Sequence, residues 1–328
     1  MSLRTFFNTH PEYRVVAGLL IAVITVELLL RVAEEDLSGN IAHILTIPSI
    51  VEDADSKDYQ SLVFLGNSLT NRAVHSPIID DVLNRNNTGT YQSFKIIPDN
   101  SALAEWYCIY QNQFKDVEDQ PAAIIIGFAW DQISDQGLIK PARLGAFFCK
   151  QKDLAPLSVT ALGHHIKQLQ FFAGYISHVY VNREAIRNRL LEPVIPDYLA
   201  ISRKINQANN QNAQESVGSE FQYTYELFTD LVTDIRATGS DIILVAMPVI
   251  QDYAIDQNLV RVTQDLDVPL IDMRRTGRIT NDMYRDPIHL NTDGRQIFSE
   301  VIAQRLAGLL QARQPAITDG NAQDLIRK

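Results

Sequence analysis

The chain has 328 residues, of which 46% are hydrophobic, and it carries a formal net charge of -10 at pH 7. This length accommodates one large domain or two modest ones, and the composition is typical of a folded protein rather than a disordered one. Nucleic-acid binding depends on clustered Lys and Arg that neutralise phosphates. The acidic balance and the lack of a basic stripe with interleaved aromatic residues therefore exclude a nucleic-acid partner.

The first element in chain order is the apolar stretch Val15–Val26, which Leu28–Leu30 extends beyond Glu27. A helix needs roughly 20 apolar residues to cross about 30 Å of hydrocarbon, so the stretch is somewhat short and Glu27 must lie near its outer end. An uncleaved signal anchor, a cleaved secretory signal and a buried core helix are three open interpretations. No small-x-small cleavage site is obvious, and polar residues at helical spacing are almost lacking, which together favour the anchor.

The charges on either side of this stretch predict its orientation. Arg4 and Arg14 precede it, and an acidic run at 34–36 follows it. The positive-inside rule then places the N-terminus in the cytoplasm and everything after about residue 34 outside it. We expect residues 1–35 to be a cytoplasmic tip and a single transmembrane anchor, with the remaining domain in the periplasm or at the cell surface.

Beyond the anchor, strand-like and helix-like segments alternate. The predicted strands, which are short runs rich in Ile and Val, are Leu62–Leu65, Ala122–Gly127, Asp241–Met247 and Val268–Ile271. The predicted helices are Pro77–Asn86, Ser101–Phe114, Tyr223–Thr238 and Thr292–Leu310. Such alternation predicts an α/β fold with a parallel sheet and helices on both sides, in which ligands gather at the carboxyl ends of the strands.

Residues 137–218 interrupt this alternation, because they contain no convincing strand. Ser158–Leu191 has a long helical pattern, and Gln207–Ser219 is polar and predicts a mobile loop. We interpret the block as a helical insertion over the sheet. It is either a lid or docking surface, or an ordinary pair of surface helices.

Two further groups of residues leave alternatives open. His164, His165 and His178 could hold a metal ion together with a carboxylate, although adjacent histidines point to different faces of a helix. Cys108 and Cys149 could form one disulfide outside the cytoplasm or remain two buried thiols. We expect neither a metal ion nor a cofactor.

The residues with the clearest chemistry lie at two distant points of the chain. Gly66-Asn67-Ser68 ends the first predicted strand, and a serine hydroxyl needs a neighbouring base before it can act as a nucleophile. Of seven histidines, only His289 lies in a loop between the last predicted strand and the terminal helix. Asp286 stands three residues earlier, where a turn can bring its carboxylate to Nδ1 of the same imidazole. Asn291 and Asp293 predict the cap and first turn of the terminal helix, with Thr292 as another candidate cap.

Gly66-Asn67-Ser68 after an apolar strand, followed by Asp286-Pro-Ile-His289 before the last helix, resembles the SGNH/GDSL hydrolase superfamily. The resemblance extends over about residues 51–310 and implies a flavodoxin-like three-layer α/β/α domain at 36–315, with a polar tail at 316–328. It implies that Ser68 is the nucleophile, His289 the general base and acid, and Asp286 the partner of His289. The backbone N–H of Ser68 would be one oxyanion donor.

The chain departs from the family pattern at the two other oxyanion positions. The second block reads Asp99-Asn100-Ser101 without the family's glycine, and the third reads Gly127-Phe-Ala-Trp130-Asp131 without its asparagine. Asn100 could supply the missing donor or could cap the following helix. Asp131, which cannot donate a hydrogen bond when ionised, could bind a substrate hydroxyl or cap a helix. Trp130 could line a sugar site or pack in the interior.

The anchor and the helical insertion look like those of membrane-anchored SGNH proteins of bacterial envelope-polymer modification, which include alginate acetylation proteins and the family that assists D-alanylation of lipoteichoic acid. This resemblance implies an acyl-enzyme on Ser68 that passes its acyl group to water or to a sugar hydroxyl. The expected partners are an acylated carbohydrate or other small ester, the membrane, and an envelope assembly protein. The alternative is a degenerate, non-catalytic SGNH domain that binds glycans or an assembly partner.

Overall fold

The computed structural model describes residues 11–86, 90–198, 200–202 and 222–313. The predicted loop Gln207–Ser219, the tail at 316–328 and the first ten residues of the predicted cytoplasmic tip lie outside these ranges. The predicted domain boundaries at 35 and 315 stay predictions.

The described residues form five strands and a series of helices. The strands are β1 (Gln60–Leu65), β2 (Tyr91–Ile96), β3 (Ala123–Phe128), β4 (Asp241–Ala246) and β5 (Leu270–Asp272). The α-helices are α1 (Pro11–Ala33), α2 (Gly39–Ala54), α3 (Ser68–Ala73), α4 (Ser76–Asn86), α5 (Leu103–Ile109), α6 (Pro141–Arg143), α7 (Leu154–Val159), α8 (His165–Ile176), α9 (His178–Leu191), α10 (Glu226–Ala237), α11 (Gln257–Asp265) and α12 (Thr292–Arg313). Single π-helical turns continue α5 through Tyr110–Phe114 and α6 through Leu144–Phe148, and short 3₁₀ turns lie at Glu34–Leu37, Gln151–Asp153 and Asn281–Met283.

The sheet is fully parallel, and its strand order is β2-β1-β3-β4-β5. This is the flavodoxin-like order, in which the direction of winding reverses between β1 and β3 and leaves a crevice at the carboxyl ends of these two strands. The predicted α/β fold and the four predicted strands are confirmed. Strand β2 was not predicted, because its sequence YQSFKI carries Ser93 toward the interior and lacks the continuous apolar run of the others.

Side chains of each central strand alternate between two separate cores. On β1, Leu62 and Phe64 belong to one core, whereas Val63 and Leu65 belong to the other. Helices α3, α4 and α12 contribute to the first core, and α2, α5, α10 and α11 contribute to the second. The period of two along a strand therefore sends apolar residues to both faces, which is why the strands are buried on both sides and the fold has three layers.

The long helical pattern at Ser158–Leu191 covers the last two residues of α7 and two longer helices, α8 and α9, that meet at Ser177. The hydroxyl of Ser177 accepts a hydrogen bond from the N–H of Tyr180 at 3.1 Å and so caps α9. Helix α8 packs closely on α6, because a Cβ at Gly174 would lie 1.9 Å from the carbonyl oxygen of Ala142. The helical pattern is therefore interrupted at Ser177, because this serine starts a new helix.

Helix α1 makes up most of Glu12–Leu37, a segment with a mean hydropathy of 2.4 that is long and apolar enough to cross a membrane by length and composition. The carboxylate of Glu27 accepts hydrogen bonds from the Ser177 hydroxyl at 3.0 Å and from the backbone N–H groups of His178 and Val179. Glu27 therefore caps the N-terminus of α9, where a negative charge is favourable. The acidic residue inside the apolar stretch is thus paired with the insertion.

Cys108 and Cys149 form a disulfide that joins α5 to the residue after the π turn of α6, with their Cα atoms 5.0 Å apart. These two cysteines and Asp153 are the one group of three metal-ligand side chains that the described ranges bring within 4.8 Å of one another. The sulfurs are already bonded to each other. The alternative metal site at His164, His165 and His178 is not formed, because the first two side chains are exposed and His178 pairs with Glu34 at 2.6 Å.

Candidate active site

Ser68 is the first residue of α3, directly after the turn that ends β1. Its neighbour Asn67 is the N-cap of α3, and the Asn67 side chain accepts a hydrogen bond from the N–H of Leu69 at 3.0 Å. The Asn67 amide donates in turn to the carbonyl oxygen of Ser101 at 3.0 Å. The first N–H groups of a helix have no partner within the helix, so the N–H of Ser68 is available to a ligand.

Thr70 holds this turn against β3 at the reversal point of the sheet. Its hydroxyl lies 3.4 Å from the carbonyl oxygen of Gly127. A Cβ at Gly66 would lie 2.1 Å from Oγ1 of Thr70, and a Cβ at Gly127 would lie 2.3 Å from the same atom. A larger residue at either position would clash with Thr70, so both positions require glycine. This packing fixes the start of α3 beside the end of β3.

Asp286 and His289 belong to one tight turn. The Asp286 carboxylate accepts hydrogen bonds from the backbone N–H groups of Ile288 at 3.1 Å and His289 at 2.9 Å. A short antiparallel bridge between Tyr284 and Leu290 closes the turn. Burial acts to raise the pKa of Asp286, but the hydrogen bonds from His289 and the two N–H groups outweigh it, and the pKa lies below its ordinary value. The carboxylate is therefore ionised at neutral pH.

The side chains of Ser68, His289 and Asp286 form a continuous chain of hydrogen bonds. Nε2 of His289 lies 3.0 Å from Oγ of Ser68, and Nδ1 lies 2.9 Å and 3.0 Å from the two carboxylate oxygens of Asp286. An ionised carboxylate only accepts, so it selects the imidazole tautomer with the proton on Nδ1. Nε2 is then left as the acceptor for the serine hydroxyl, which is the arrangement that base-assisted nucleophilic attack requires.

Asn291 takes the structural role that its sequence position predicts. Its side-chain oxygen accepts a hydrogen bond from the N–H of Gly294 at 3.0 Å and so caps α12. Its amide donates to the carbonyl oxygen of Asp282 at 2.8 Å, which ties the cap to the 3₁₀ turn that precedes Asp286. The predicted helix start is confirmed.

Two other histidines near the sheet are committed to structural contacts. Nε2 of His43 accepts a hydrogen bond from the backbone N–H of Ile97 at 3.0 Å, and burial lowers the pKa of His43. Burial likewise lowers the pKa of His75, whose backbone N–H donates to the Ser299 hydroxyl at 2.9 Å. Both side chains therefore favour the neutral form.

Asn100 is exposed and has φ +52°, a left-handed conformation that favours glycine and, after glycine, asparagine. The interpretation of Asn100 as a helix cap is wrong, since α5 is capped at Ala102, whose N–H donates to the Glu105 carboxylate at 3.2 Å. Asn100 thus adopts the backbone conformation for which the glycine of the resembled family is suited. Although Asn100 has a side chain, its backbone adopts the left-handed conformation that a glycine would adopt at this position.

A buried ion pair holds the loop that contains Asn100. Arg143 donates to the carbonyl oxygens of Asp99 at 2.6 Å and Asn100 at 3.0 Å, and it lies 3.1 Å from the carboxylate of Glu105. Glu105 is fully buried, and burial acts to raise its pKa while Arg143 opposes this rise. The helical insertion therefore supports the active-site edge through Arg143 at its first helix.

Trp130 and Asp131 lie on the loop after β3. Trp130 is half-buried with φ +52°, and its ring packs on that of Tyr253 at 5.5 Å between centroids. Burial raises the pKa of Asp131, and its backbone carbonyl oxygen accepts hydrogen bonds from the N–H and the hydroxyl of Ser134 at 2.9 and 2.8 Å. No helix in the described part of the chain begins at Asp131, and the assignment of this residue to a substrate hydroxyl stays a prediction.

Several residues that build the site were not predicted from the sequence. Asn67 is the middle residue of Gly66-Asn67-Ser68, and Thr70 follows two positions after Ser68. The glycines at the ends of two strands, Gly66 and Gly127, were the signal that could have identified the close packing of Thr70. Arg143 and Glu105 had no comparable signal, because 38 residues separate them and nothing in the local pattern indicates that they pair.

No protein-family model and no curated protein matches the chain. Among solved structures, the chain is similar to the protein YxiM of Bacillus subtilis, with 9% identity and a TM-score of 0.39, over 76% of this chain and 57% of that one. It is also similar to a variant of the acetyl xylan esterase Axe2 of Geobacillus stearothermophilus, with 9% identity and a TM-score of 0.37, over 75% of this chain and 94% of that one. The chain spans little more than half the length of YxiM. These similarities are too slight to assign a function.

Proposed function

We propose that the protein is a membrane-anchored serine esterase or O-acyltransferase of SGNH type, which acts on acetyl or other acyl esters of envelope or exported polysaccharide. The observation that carries this proposal is the hydrogen-bond order Ser68, His289, Asp286 at the carboxyl edge of the sheet, with donor to acceptor distances of 2.9 to 3.0 Å. These are distances at which a proton moves between side chains.

In the first half of the reaction, Oγ of Ser68 attacks the ester carbonyl carbon while Nε2 of His289 takes the hydroxyl proton. The ionised Asp286 stabilises the imidazolium that forms. The tetrahedral intermediate collapses, the ester bond breaks, and the leaving alcohol receives the proton from His289. The product of this half is an acyl group on Ser68 and a free sugar hydroxyl.

The negative oxygen of the intermediate needs preorganised donors. The N–H of Ser68 at the start of α3 is the first, and the backbone N–H of Asn100 is the second. Support for Asn100 comes from its left-handed conformation and from Arg143, which donates at 2.6 Å to the Asp99 carbonyl oxygen of the same peptide and so holds that peptide in one orientation. Loss of one such donor typically costs about 2.7–4 kcal/mol of transition-state stabilisation.

The second half passes the acyl group from Ser68 to water or to a sugar hydroxyl, with His289 again removing and returning the proton. Trp130 offers a partly exposed ring and Asp131 a carboxylate on the loop beside the crevice. We assign them to the sugar, with the ring against its apolar face and the carboxylate accepting from a hydroxyl. Hydrolase and transferase differ only in whether water reaches the acyl-enzyme.

The same proposal places the catalytic domain outside the cytoplasm. Helix α1 is suited to a single span, and a disulfide such as Cys108–Cys149 persists in oxidising compartments. An envelope assembly protein is then an accessible partner. A reporter enzyme fused after Lys328 should be active outside the cytoplasm only, and cytoplasmic activity would contradict this orientation.

A fluorophosphonate probe tests the chemistry directly, because it reacts with an activated serine. The wild-type protein should be labelled, and Ser68→Ala and His289→Ala should each abolish labelling while the thermal unfolding transition is retained. Ser49→Ala, which removes an exposed hydroxyl on α2, is the matched control and should be labelled like the wild type.

A wild type that resists labelling, or equal labelling of Ser68→Ala, would contradict the enzymatic proposal. The degenerate domain that binds a glycan or an assembly partner would then be the better interpretation. Hydrolysis of a short acyl ester, measured with and without a sugar acceptor, separates the two enzymatic outcomes, since a transferase forms acylated sugar.

A further inference from the structure

Helix α8 has an apolar face that points away from the protein. Its inward residues Phe171 and Gly174 are buried against α6 and the π turn that follows it. Three large aliphatic side chains on the outward side remain exposed at 70% for Ile166, 69% for Leu169 and 71% for Ile176.

These three residues and Ala173 are spaced three or four positions apart, so they share one face of the helix and form a stripe, here called the α8 stripe. A surface helix of a water-soluble domain carries polar residues on its outward face. On α8, two polar side chains instead turn back to the protein, since Lys167 donates to the carbonyl oxygen of Ala161 and Gln168 to that of Leu162, each at 3.1 Å.

The α8 stripe ends at the segment that we assign to the membrane boundary. Arg31 of α1 donates to the carbonyl oxygen of Ile176 at 3.3 Å, and Glu27 of α1 holds Ser177 and the first N–H groups of α9. The last residue of the α8 stripe is therefore bonded to α1 beside the place where charged residues first interrupt its apolar stretch.

We propose that the α8 stripe is a second membrane contact, which lies in the outer interface of the same bilayer that α1 spans. This inference rests on the proposed membrane anchor. An amphipathic helix in the interface buries its apolar face about 5–10 Å into the boundary between headgroups and acyl chains. Continuity with α1 favours lipid over any other occupant, because the two elements are joined by direct hydrogen bonds.

The contact would also fix how the catalytic edge faces the bilayer. Helix α8 packs on α6 through Gly174 and Ala142, and the adjacent Arg143 holds the carbonyl oxygens of Asp99 and Asn100. The side chain of Asn40, at the start of α2 just after the span, accepts a hydrogen bond from the N–H of Asp99 at 2.7 Å. Both membrane elements are thus connected to one loop of the candidate active site.

The test uses the full chain in lipid nanodiscs that hold one protein each, so that no second copy can cover the stripe. The native cysteines are bonded to each other, so a single new cysteine takes an environment-sensitive fluorophore. The variants are Ile166→Cys, Leu169→Cys and Ile176→Cys. Lipids that carry a quenching doxyl group should reduce the emission of all three labels, and a doxyl group near the glycerol end should quench more than one near the methyl end.

Two control labels separate the outcomes. Gln264→Cys, at an exposed position near the end of α11, should be unaffected by doxyl lipids, and Leu20→Cys in α1 should be strongly quenched. Quenching at Leu20 with no more quenching at the stripe than at Gln264 would overturn the inference and leave the anchor intact. No quenching at Leu20 would contradict the anchor, and the inference with it.

Discussion

The two sides of the candidate site are held in different ways. The side formed by Asp286 and His289 is a turn whose hydrogen bonds join residues two and three positions apart. The side formed by the loops at 99–101 and 127–131 is held by contacts between distant segments, such as Arg143 with Asn100 and Trp130 with Tyr253. The first side is therefore set by local geometry, whereas the second depends on the rest of the fold.

The largest expected effect is on the local side. Asp286→Asn should keep the turn, because the amide oxygen still accepts from the N–H groups of Ile288 and His289, but its NH₂ group would stabilise the wrong imidazole tautomer. Turnover of a short acyl ester should fall by about 10⁴-fold, as in comparable triads. Steady-state kinetics and a thermal melt measure both properties. Asp282→Asn, an exposed carboxylate of the preceding 3₁₀ turn, is the control and should match the wild type.

If Asp286→Asn turned over substrate as fast as Asp282→Asn, the histidine would be oriented by something other than the local turn. The side of the site formed by Asp286 and His289 would then not be set by local geometry.

The second effect is on the long-range side and concerns stability. Arg143→Met leaves the fully buried Glu105 without its cation, which should lower the free energy of unfolding by about 3–5 kcal/mol. The exposed pair Arg85 and Asp81 provides the matched control, since Arg85→Met should change stability by less than about 1 kcal/mol. Denaturant unfolding curves give both values.

A second substitution identifies the cause. Glu105→Gln in the Arg143→Met background should recover part of the loss, because a neutral amide has no unpaired charge and can still accept from the N–H of Ala102. Equal losses for Arg143→Met and Arg85→Met would show that the ion pair does not hold the loop.

The same distinction explains how far the sequence could predict the molecule. The strands β1, β3, β4 and β5 are apolar runs, and the Asp-x-x-His turn is local, so both were readable from short windows. Two other contacts join positions far apart in the chain: Glu27 caps α9, and Arg143 donates a hydrogen bond to the carbonyl oxygen of Asn100. No period or motif encodes such pairs, because they arise only when the layers pack.

Asn100 tests the long-range side within the site itself. Asn100→Gly should keep turnover, because glycine adopts the left-handed conformation freely and retains the backbone N–H. Asn100→Ala should be destabilised by about 1–2 kcal/mol, since alanine is strained in this conformation. Kinetics and melts of the two variants measure these outcomes. If the side chain of Asn100 were the donor instead, both variants would lose the ~10²- to 10³-fold in kcat that removal of an oxyanion donor costs.

The smallest expected effect concerns Lys95 on β2, the strand that the apolar pattern did not reveal. Burial, followed by the nearby Arg295 and Arg72, lowers the pKa of Lys95 to about 8. Its ammonium group contacts α3, the helix that begins at Ser68, through Asn71 at 3.4 Å. Between about pH 8 and the ordinary lysine pKa, the unfolded chain binds more protons than the folded chain at this residue, so it makes stability rise with pH.

Lys95→Met removes that titration. The free energy of unfolding of the variant, relative to that of the wild type, should therefore be highest at about pH 7 and should fall toward about pH 10. Urea midpoints at both pH values measure the difference, with Lys57→Met, an exposed lysine, expected to show a constant offset. The sign is set by burial: below about pH 8 the folded protein carries the full cost of a half-buried charge, and above it the charge is released. A difference between Lys95→Met and the wild type that does not change with pH would mean that Lys95 is as well solvated as Lys57.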